Sequence, residues 1–395
     1  MEEWKTYTLK ELSKGKGEYG IGAPAIPFNK DKYTYLRITD INDDGTLNYS
    51  GLMSVDSEDA EKYLLEKNDI VFARTGNSTG RSYFYDGRDG VLVYAGFLIR
   101  FRLDDQKVNP RILKYYTHSQ PYYNWVKSFD TGGTRGNINA KTYGDMPLCL
   151  PPRPIQNRIV EILDALDDKI ENNRRINDNL EQQAQALYKQ WFVDNRSEDW
   201  KEVKLSQIVD INKDSINPSL YPNTIFEHYS LPAYDAGILP VCEKGSDIKS
   251  SKFIINDNVI LFSKLNPRIK RIWLPNPQTE HAICSTEFVP YQPKKSEMLG
   301  FCYSLLNSDD FYDFVLSLTN GSTGSHQRFH PKDTLDYNFR VPKIETISEF
   351  EDKVIPLYRI ISKNRIENQK LAALRDTLLP KLMSGELSVD DVLVD

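Results

Sequence analysis

The chain has no apolar run approaching the ~18 residues that a membrane-crossing helix needs, and the opening Met1-Glu2-Glu3-Trp4-Lys5 carries no signal-peptide pattern. A cytoplasmic protein with no membrane attachment is therefore expected. Cysteine is scarce: Cys149, Cys242, Cys284 and Cys302 form no Cys-x-x-Cys pair. That spacing offers neither a disulfide framework nor a zinc site, so the thiols are expected to be reduced. The five histidines do not stand at metal-ligand spacing, apart from His326 and His330, which are four residues apart. No Gly-x-x-x-x-Gly-Lys-Ser/Thr loop is present, which excludes an ATPase within this chain. Four Asn-Pro pairs begin at Asn109, Asn217, Asn266 and Asn276, and none continues into the Pro-aromatic pair of amino-methyltransferases. Asp194 with Glu202-Val203-Lys204 can be forced into a nuclease-like pattern, but the matching segment at Trp4 lacks the Glu. The chain is thus expected to be non-catalytic, with no metal and no cofactor of its own.

What is present is an internal repeat. Trp4-Lys5 with Leu9 recurs as Trp200-Lys201 with Leu205, and Phe72-Ala73-Arg74 as Phe262-Ser263-Lys264. Gly132 and Thr134 recur as Gly321 and Thr323, and Leu150-Pro151 as Val341-Pro342. These offsets of 196, 190, 189 and 191 residues are far longer than a solenoid period, so each copy is a whole domain with an appendage. Net charge is −6, which on its face argues against a nucleic-acid partner. It is segregated, however: residues 1–153 carry +1, 154–199 carry −4, 200–342 carry −1 and 343–395 carry −2. The acidity lies in the appendages, and the globular stretches are near neutral with local basic clusters.

Both appendages read as long amphipathic helices. Over 155–192, apolar residues fall at Ile159, Ile162, Leu166, Ile176, Leu180 and Leu187, with Leu163, Ile170, Ala184 and Trp191 widening the stripe and Phe192 at its end. The second helix reads Phe350, Val354, Leu357, Ile361, Leu371, Leu378 and Leu382. Thr346 with Glu349 predicts a capping box, Gly385 a C-cap, and Pro356 a kink or restart. At 1.5 Å per residue each helix extends for roughly 55 Å, too long to be buried in one small domain. The pair is expected to pack as an antiparallel coiled coil related by a pseudo-two-fold axis, holding the domains at a fixed distance. Asn173, Asn364 and Asn368 interrupt the seams as register-setting residues do.

The globular copies alternate β-like runs, at 33–38, 69–73, 82–85, 91–101, 253–255, 259–262, 269–274 and 286–291, with helical patterns at 57–66, 110–128 and 296–318. An α/β or α+β domain of about 150 residues is expected in each. The implied boundaries are 1–153 for the first domain, 154–196 for its helix, 197–342 for the second domain and 343–395 for the second helix. Two loops per copy gather polar and cationic side chains. The first is Arg74-Thr75-Gly76-Asn77-Ser78-Thr79-Gly80-Arg81, matched by Ser263-Lys264-Leu265-Asn266-Pro267-Arg268-Ile269-Lys270-Arg271, neither holding an acidic residue. The second is Thr131-Gly132-Gly133-Thr134-Arg135-Gly136-Asn137-Ile138-Asn139, matched by Asn320-Gly321-Ser322-Thr323-Gly324-Ser325-His326-Gln327-Arg328-Phe329-His330. Such side chains reach phosphates and base edges, and recurrence at matching positions favours a function for them.

These features resemble the specificity subunit of type I restriction-modification enzymes. Leu187-Tyr188-Lys189-Gln190-Trp191-Phe192-Val193-Asp194 is similar to that family's central conserved region, and Leu378-Leu379-Pro380-Lys381-Leu382-Met383-Ser384-Gly385-Glu386-Leu387 to its C-terminal one. The resemblance covers the whole chain; the second copy departs where Lys264-Leu265-Asn266-Pro267 replaces the usual Arg-Thr-Gly type. It implies two target-recognition domains, each reading half of a split asymmetric site in double-stranded DNA. It also implies two methyltransferase subunits docked on the helices, and motor-nuclease subunits that join for cleavage. S-adenosylmethionine, ATP and Mg are then expected on those partners. The expected DNA contacts are Arg74, Asn77, Arg81, Arg135 and Asn137 in the first half, and Lys264, Arg268, Lys270, Arg271, His326, Gln327 and Arg328 in the second. Helix-packing or partner-facing residues are Ile162, Leu166, Ile176, Leu180, Leu187, Trp191, Phe192, Leu357, Ile361, Leu371, Leu378 and Leu382. Other classes remain: the recognition half of a split restriction-methyltransferase, marked by an adjacent methyltransferase reading frame, or a tandem binding module without salt-dependent DNA affinity.

Overall fold

Hydrophobic runs bounded by turn residues fold into two α+β units, each described here separately, in a computed structural model that describes residues 4–130, 136–319 and 327–392. One unit comprises residues 1–168 with 371–395, and the other 169–370. The long helices Arg153–Tyr188 and Ile344–Ser384 therefore each contribute residues to both units.

In the first unit, the strand Asp69–Ala73 is buried along its whole length. A run so apolar must be covered on both faces, and it is central in an antiparallel sheet with Glu18–Tyr19, Leu98–Arg102 and Ser82–Tyr85. A second sheet orders Ala25–Pro27, Met53–Val55, Tyr33–Leu36 and Leu92–Tyr94, the last two parallel. A ribbon of Lys5–Thr8 on Pro147–Leu150 ties the start of the globular stretch to its end. The expected single strand over 91–101 is two strands, because the Leu98 N–H turns back to the Ala95 carbonyl at 2.8 Å. The expected helix over 57–66 is only a 3-10 turn, Ala60–Tyr63. Leu64 bridges to Val93 instead, so sheet pairing overrides helix propensity.

The second unit repeats this plan, at an offset of 190 in its central strands. Phe262 pairs with Val289 and Ile272 as Phe72 pairs with Ile99 and Ser82, each partner 190 residues further on. Its second sheet orders Ser215–Ile216, Lys252–Ile254, Ala282–Cys284, Ile225–Tyr229 and Val241–Lys244, again with one parallel pair. Lys201–Lys204 pairs with Asn338–Val341 as the closing ribbon. The helical patterns are each broken in two: Arg111–Tyr116 from Gln120–Lys127, where Pro121 begins the new helix, and Leu299–Leu306 from Asp309–Ser317, where Ser308 caps it.

The helices pack antiparallel within each unit. In the first, Ile159, Ile162 and Leu163 share a core cluster with Leu378, Leu379, Leu382 and Met383, and Arg375 pairs with Asp167 at 3.0 Å. A fully buried Ile or Leu here contributes about 1.5–3 kcal/mol. In the second, Leu180, Leu187, Trp191, Phe192, Leu357 and Ile361 join the main cluster with Ala184, Tyr188, Phe350 and Val354. The seam between these turns is polar. Asn173 Nδ2 donates to Glu367 Oε2 at 2.8 Å and Asn368 Oδ1 at 2.9 Å, Asn364 Nδ2 to Asn177 Oδ1 at 2.9 Å, and Asn368 Nδ2 to the Ile170 carbonyl at 3.2 Å. The three predicted register residues thus sit in the seam, joined by Asn177. Ile176 does not: it is 38% exposed, because the heptad phase set by Ile170, Asn173, Asn177 and Ala184 turns position 176 outward. Leu166 and Leu371 are half-buried. The second helix starts at Ile344 and runs on through Pro356, so Thr346 lies inside its first turn rather than at its cap. Gly385 ends it with φ +74°, and the Leu387 N–H donates to the Lys381 carbonyl at 3.1 Å.

Candidate nucleic-acid interface

In the first unit the 74–81 loop is a hairpin crossing between Asp69–Ala73 and Ser82–Tyr85. Buried aromatics support it from beneath. Phe72 stacks on Tyr143 at 4.7 Å, the Tyr143 hydroxyl donates to the Ala73 carbonyl at 2.9 Å, and the Tyr122 hydroxyl donates to the Gly80 carbonyl at 2.6 Å. Gly80 has φ +88°, and a Cβ there would lie 2.5 Å from Val126 Cγ1; the turn admits no side chain at this position. Backbone bonds stitch three segments together at the tip. The Arg74 N–H donates to the Phe97 carbonyl at 3.1 Å, and the Ile138 N–H to the Arg74 carbonyl at 3.0 Å. The 74–81 loop and the described end of the second loop, at Asn137 and Ile138, are therefore neighbours.

The Arg74 guanidinium lies 5.0 Å from the Tyr19 ring centroid and reaches Asn137 Oδ1 at 3.4 Å, with no ion pair among the described residues. Asn77 is exposed. Arg81 behaves otherwise: its Nε donates to Asp43 Oδ1 at 2.7 Å and its Nη1 to the Ile41 carbonyl at 3.0 Å. A neighbouring carboxylate and carbonyl thus orient Arg81 in this structure. Arg135 lies outside the described residues.

The second unit shows the equivalent of the first stitch and a different second one. The Lys264 N–H donates to the Glu287 carbonyl at 2.9 Å and the Asn266 N–H to the Gln327 carbonyl at 2.9 Å, while Leu265 bridges to Arg328. Lys264 is half-buried and Arg268 exposed, and neither enters an ion pair among the described residues. Arg271 is held as Arg81 is, by an aspartate. It stands 190 residues on, and both its Nε and Nη2 bind Asp235, at 2.7 and 2.9 Å. Lys270 also turns away from the tip. Its Nζ donates to the Asn307 carbonyl and sits 5.2 Å from the Tyr312 ring centroid, and burial lowers its pKa. Arg328 is held by both oxygens of Glu287 at 3.1 Å, which raises its pKa and keeps it charged. His330 Nδ1 lies 3.6 Å from Asp333, and His326 lies outside the described residues.

Asp43, Asp235 and Glu287 escape a sequence reading because each loop is free of acid within its own span. Tyr19 and Phe97 escape it because they come from other strands, although both are exposed, by 42% and 58%. Each tip can offer hydrogen-bond donors, cations and, in the first unit, aromatic faces to an extended polyanion; among the described residues neither assembles a nucleophile with a base.

Residues 1–182 match the family model described as the type I restriction modification DNA specificity domain. The chain is 22% identical to the type I restriction enzyme HindI specificity subunit of Haemophilus influenzae, over 98% of this chain and 100% of that protein. It is 24% identical to the type I restriction enzyme MjaIX specificity subunit of Methanocaldococcus jannaschii, over 71% of this chain and 69% of that one. The crystal structure of a type I restriction-modification S subunit from M. genitalium shares the fold, with a TM-score of 0.59 at 17% identity and 96% of both chains covered.

Proposed function

We propose that this chain is a type I restriction-modification specificity subunit, a non-catalytic subunit that recognises DNA, and that its two units read the two unlike halves of one bipartite, asymmetric site. The observation that carries this reading is the pairing of one scaffold with two sets of tip residues. The strand register repeats at an offset of 190, yet Arg74 is replaced by Lys264. A shared backbone stitch with different donors suits two reading heads that differ in what they read. Arg74, Asn77 and Asn137 are the contacts in one half, and Lys264, Arg268, Gln327 and Arg328 in the other. Arg81, Lys270 and Arg271 serve the scaffold.

In this reading the chain acts in the cytoplasm and assembles with two methyltransferase subunits and with motor-nuclease subunits. Those partners carry S-adenosylmethionine, ATP and Mg, and perform adenine N6 methylation or cleavage. The helix faces supply the docking surfaces. Base-modification mapping of DNA from cells expressing this chain with its methyltransferase tests the reading: a methylated motif of two unlike halves around an unread spacer is expected. A single palindromic motif, or none, refutes it.

A further inference from the structure

Position 97 in the first unit and position 287 in the second are structurally equivalent, yet chemically opposed. Each carbonyl accepts the N–H of the first tip cation, Arg74 or Lys264, at 3.1 and 2.9 Å. Each precedes the strand that pairs with the central one, Leu98–Arg102 or Phe288–Pro293. The side chains differ completely. Phe97 is a large aromatic left 58% exposed; its carbonyl accepts from the Arg74 N–H, and the Arg74 guanidinium lies by the half-exposed Tyr19 ring. Apolar area left facing water is unfavourable, at roughly 25 cal/mol per Å². Glu287 is a carboxylate locked to Arg328 through both oxygens at 3.1 Å. A carboxylate is repelled by phosphates, so at a DNA-facing tip it suits a base edge that donates a hydrogen bond. The only such edge presented by C in the major groove is its N4 amino group, whereas a phenyl ring suits the methyl group of T.

We propose that this position is a specificity determinant in both heads: Phe97 selects a T methyl in one half-site, and Glu287, with Arg328 beside it, selects a C·G pair in the other. Phe97 reads by apolar contact, and the Arg74 donors fix the adjoining base. Glu287 accepts from the cytosine amino group while Arg328 donates to the guanine edge of the same or the next pair. The inference rests on the DNA-recognition reading above.

The test uses the assembled methyltransferase complex carrying wild-type chain, Phe97→Ala, Glu287→Gln or, as a reference, Arg268→Ala, with methylated motifs mapped in each. Phe97 is exposed and Glu287→Gln keeps its volume, so folding is expected to survive both changes. Phe97→Ala should relax one position of one half-site, with discrimination falling roughly 5- to 150-fold, while the other half stays intact. Glu287→Gln should do the converse. If both variants keep the wild-type motif while Arg268→Ala weakens methylation, the assignment of this position is wrong and the recognition reading stands. If wild type yields no bipartite motif, the recognition reading falls and takes this inference with it.

Discussion

Glu351, near the start of the second long helix, gives the sharpest test of how a recognition unit is fastened to its helix. Its carboxylate is buried and accepts the backbone N–H groups of Gly300 and Phe301 at 3.0 and 2.6 Å, closing the N-terminus of the helix Leu299–Leu306. Two opposed effects act on it. Burial raises its pKa, with a smaller push from Asp352, and the two amides lower it; burial wins and the group rises from an ordinary 4.5 to about 7. Between these values the folded protein keeps a proton that the unfolded chain has lost, so stability falls as pH rises, by roughly 3 kcal/mol across the window. The variant Glu351→Gln removes the titration while preserving shape. Gln156, its counterpart in the first unit, accepts the Asn109 N–H at 3.0 Å and donates to the Pro151 carbonyl at 2.8 Å; Gly300 and Phe301 both donate, so the variant's amide keeps one of the two bonds. Urea unfolding at pH 5 and pH 8 should find the two proteins within about 1 kcal/mol at the lower pH, where both groups are neutral. At the higher pH the variant should be the more stable by roughly 3 kcal/mol. Equal pH slopes would refute the reasoning, and a variant less stable at pH 8 would mean that the two amides and the helix dipole outweigh burial.

Further outcomes follow from the tips and the seam. Arg81→Ala and Arg271→Ala should each lower stability by about 1 kcal/mol, as loss of a partly exposed ion pair does, and leave the salt dependence of DNA affinity unchanged. Arg268→Ala should instead reduce that salt slope by about one, read by affinity titrations in increasing salt. Asn177→Ala strands the Asn364 amide in the helix seam and should cost about 1–3 kcal/mol in urea unfolding. Arg328→Ala should weaken binding to the cognate site in a gel shift with partners present while leaving assembly intact; an unchanged affinity would count against its role.

Much of the architecture was legible because apolar patterning records burial. Asp69–Ala73 and Ser82–Tyr85 are buried along their whole lengths, and the sequence pattern places both strands at these bounds. The long helices were legible for the same reason, but their phase was not. Counting apolar residues puts Ile176 in the seam and leaves Asn177 out, whereas the seam buries Asn177 and exposes Ile176. A polar side chain is cheap to bury once its amide is paired, and that pairing depends on Asn364 of the other helix, which a local window does not contain. Charge is misread in the same way: the loops 74–81 and 263–271 hold no acid, yet Asp43 reaches Arg81 across 38 residues and Asp235 reaches Arg271 across 36.

These pairs also reverse an inference from the repeat itself. Recurrence at an offset of 190 residues first suggests shared function, and Arg81 with Arg271 is its clearest cationic example. Yet both arginines are held by an aspartate at the flank of the same hairpin, Asp43 or Asp235, so what recurs is the brace. A protein that reads two unlike half-sites with one frame must repeat whatever builds the frame and vary whatever touches the bases. On that logic the informative positions are those where the backbone bond is kept and the side chain changes: Arg74 against Lys264, and Phe97 against Glu287, joined in both units by the same N–H to carbonyl bond. Sequence identity between the copies thus marks scaffold, and difference at a fixed backbone position marks the reader.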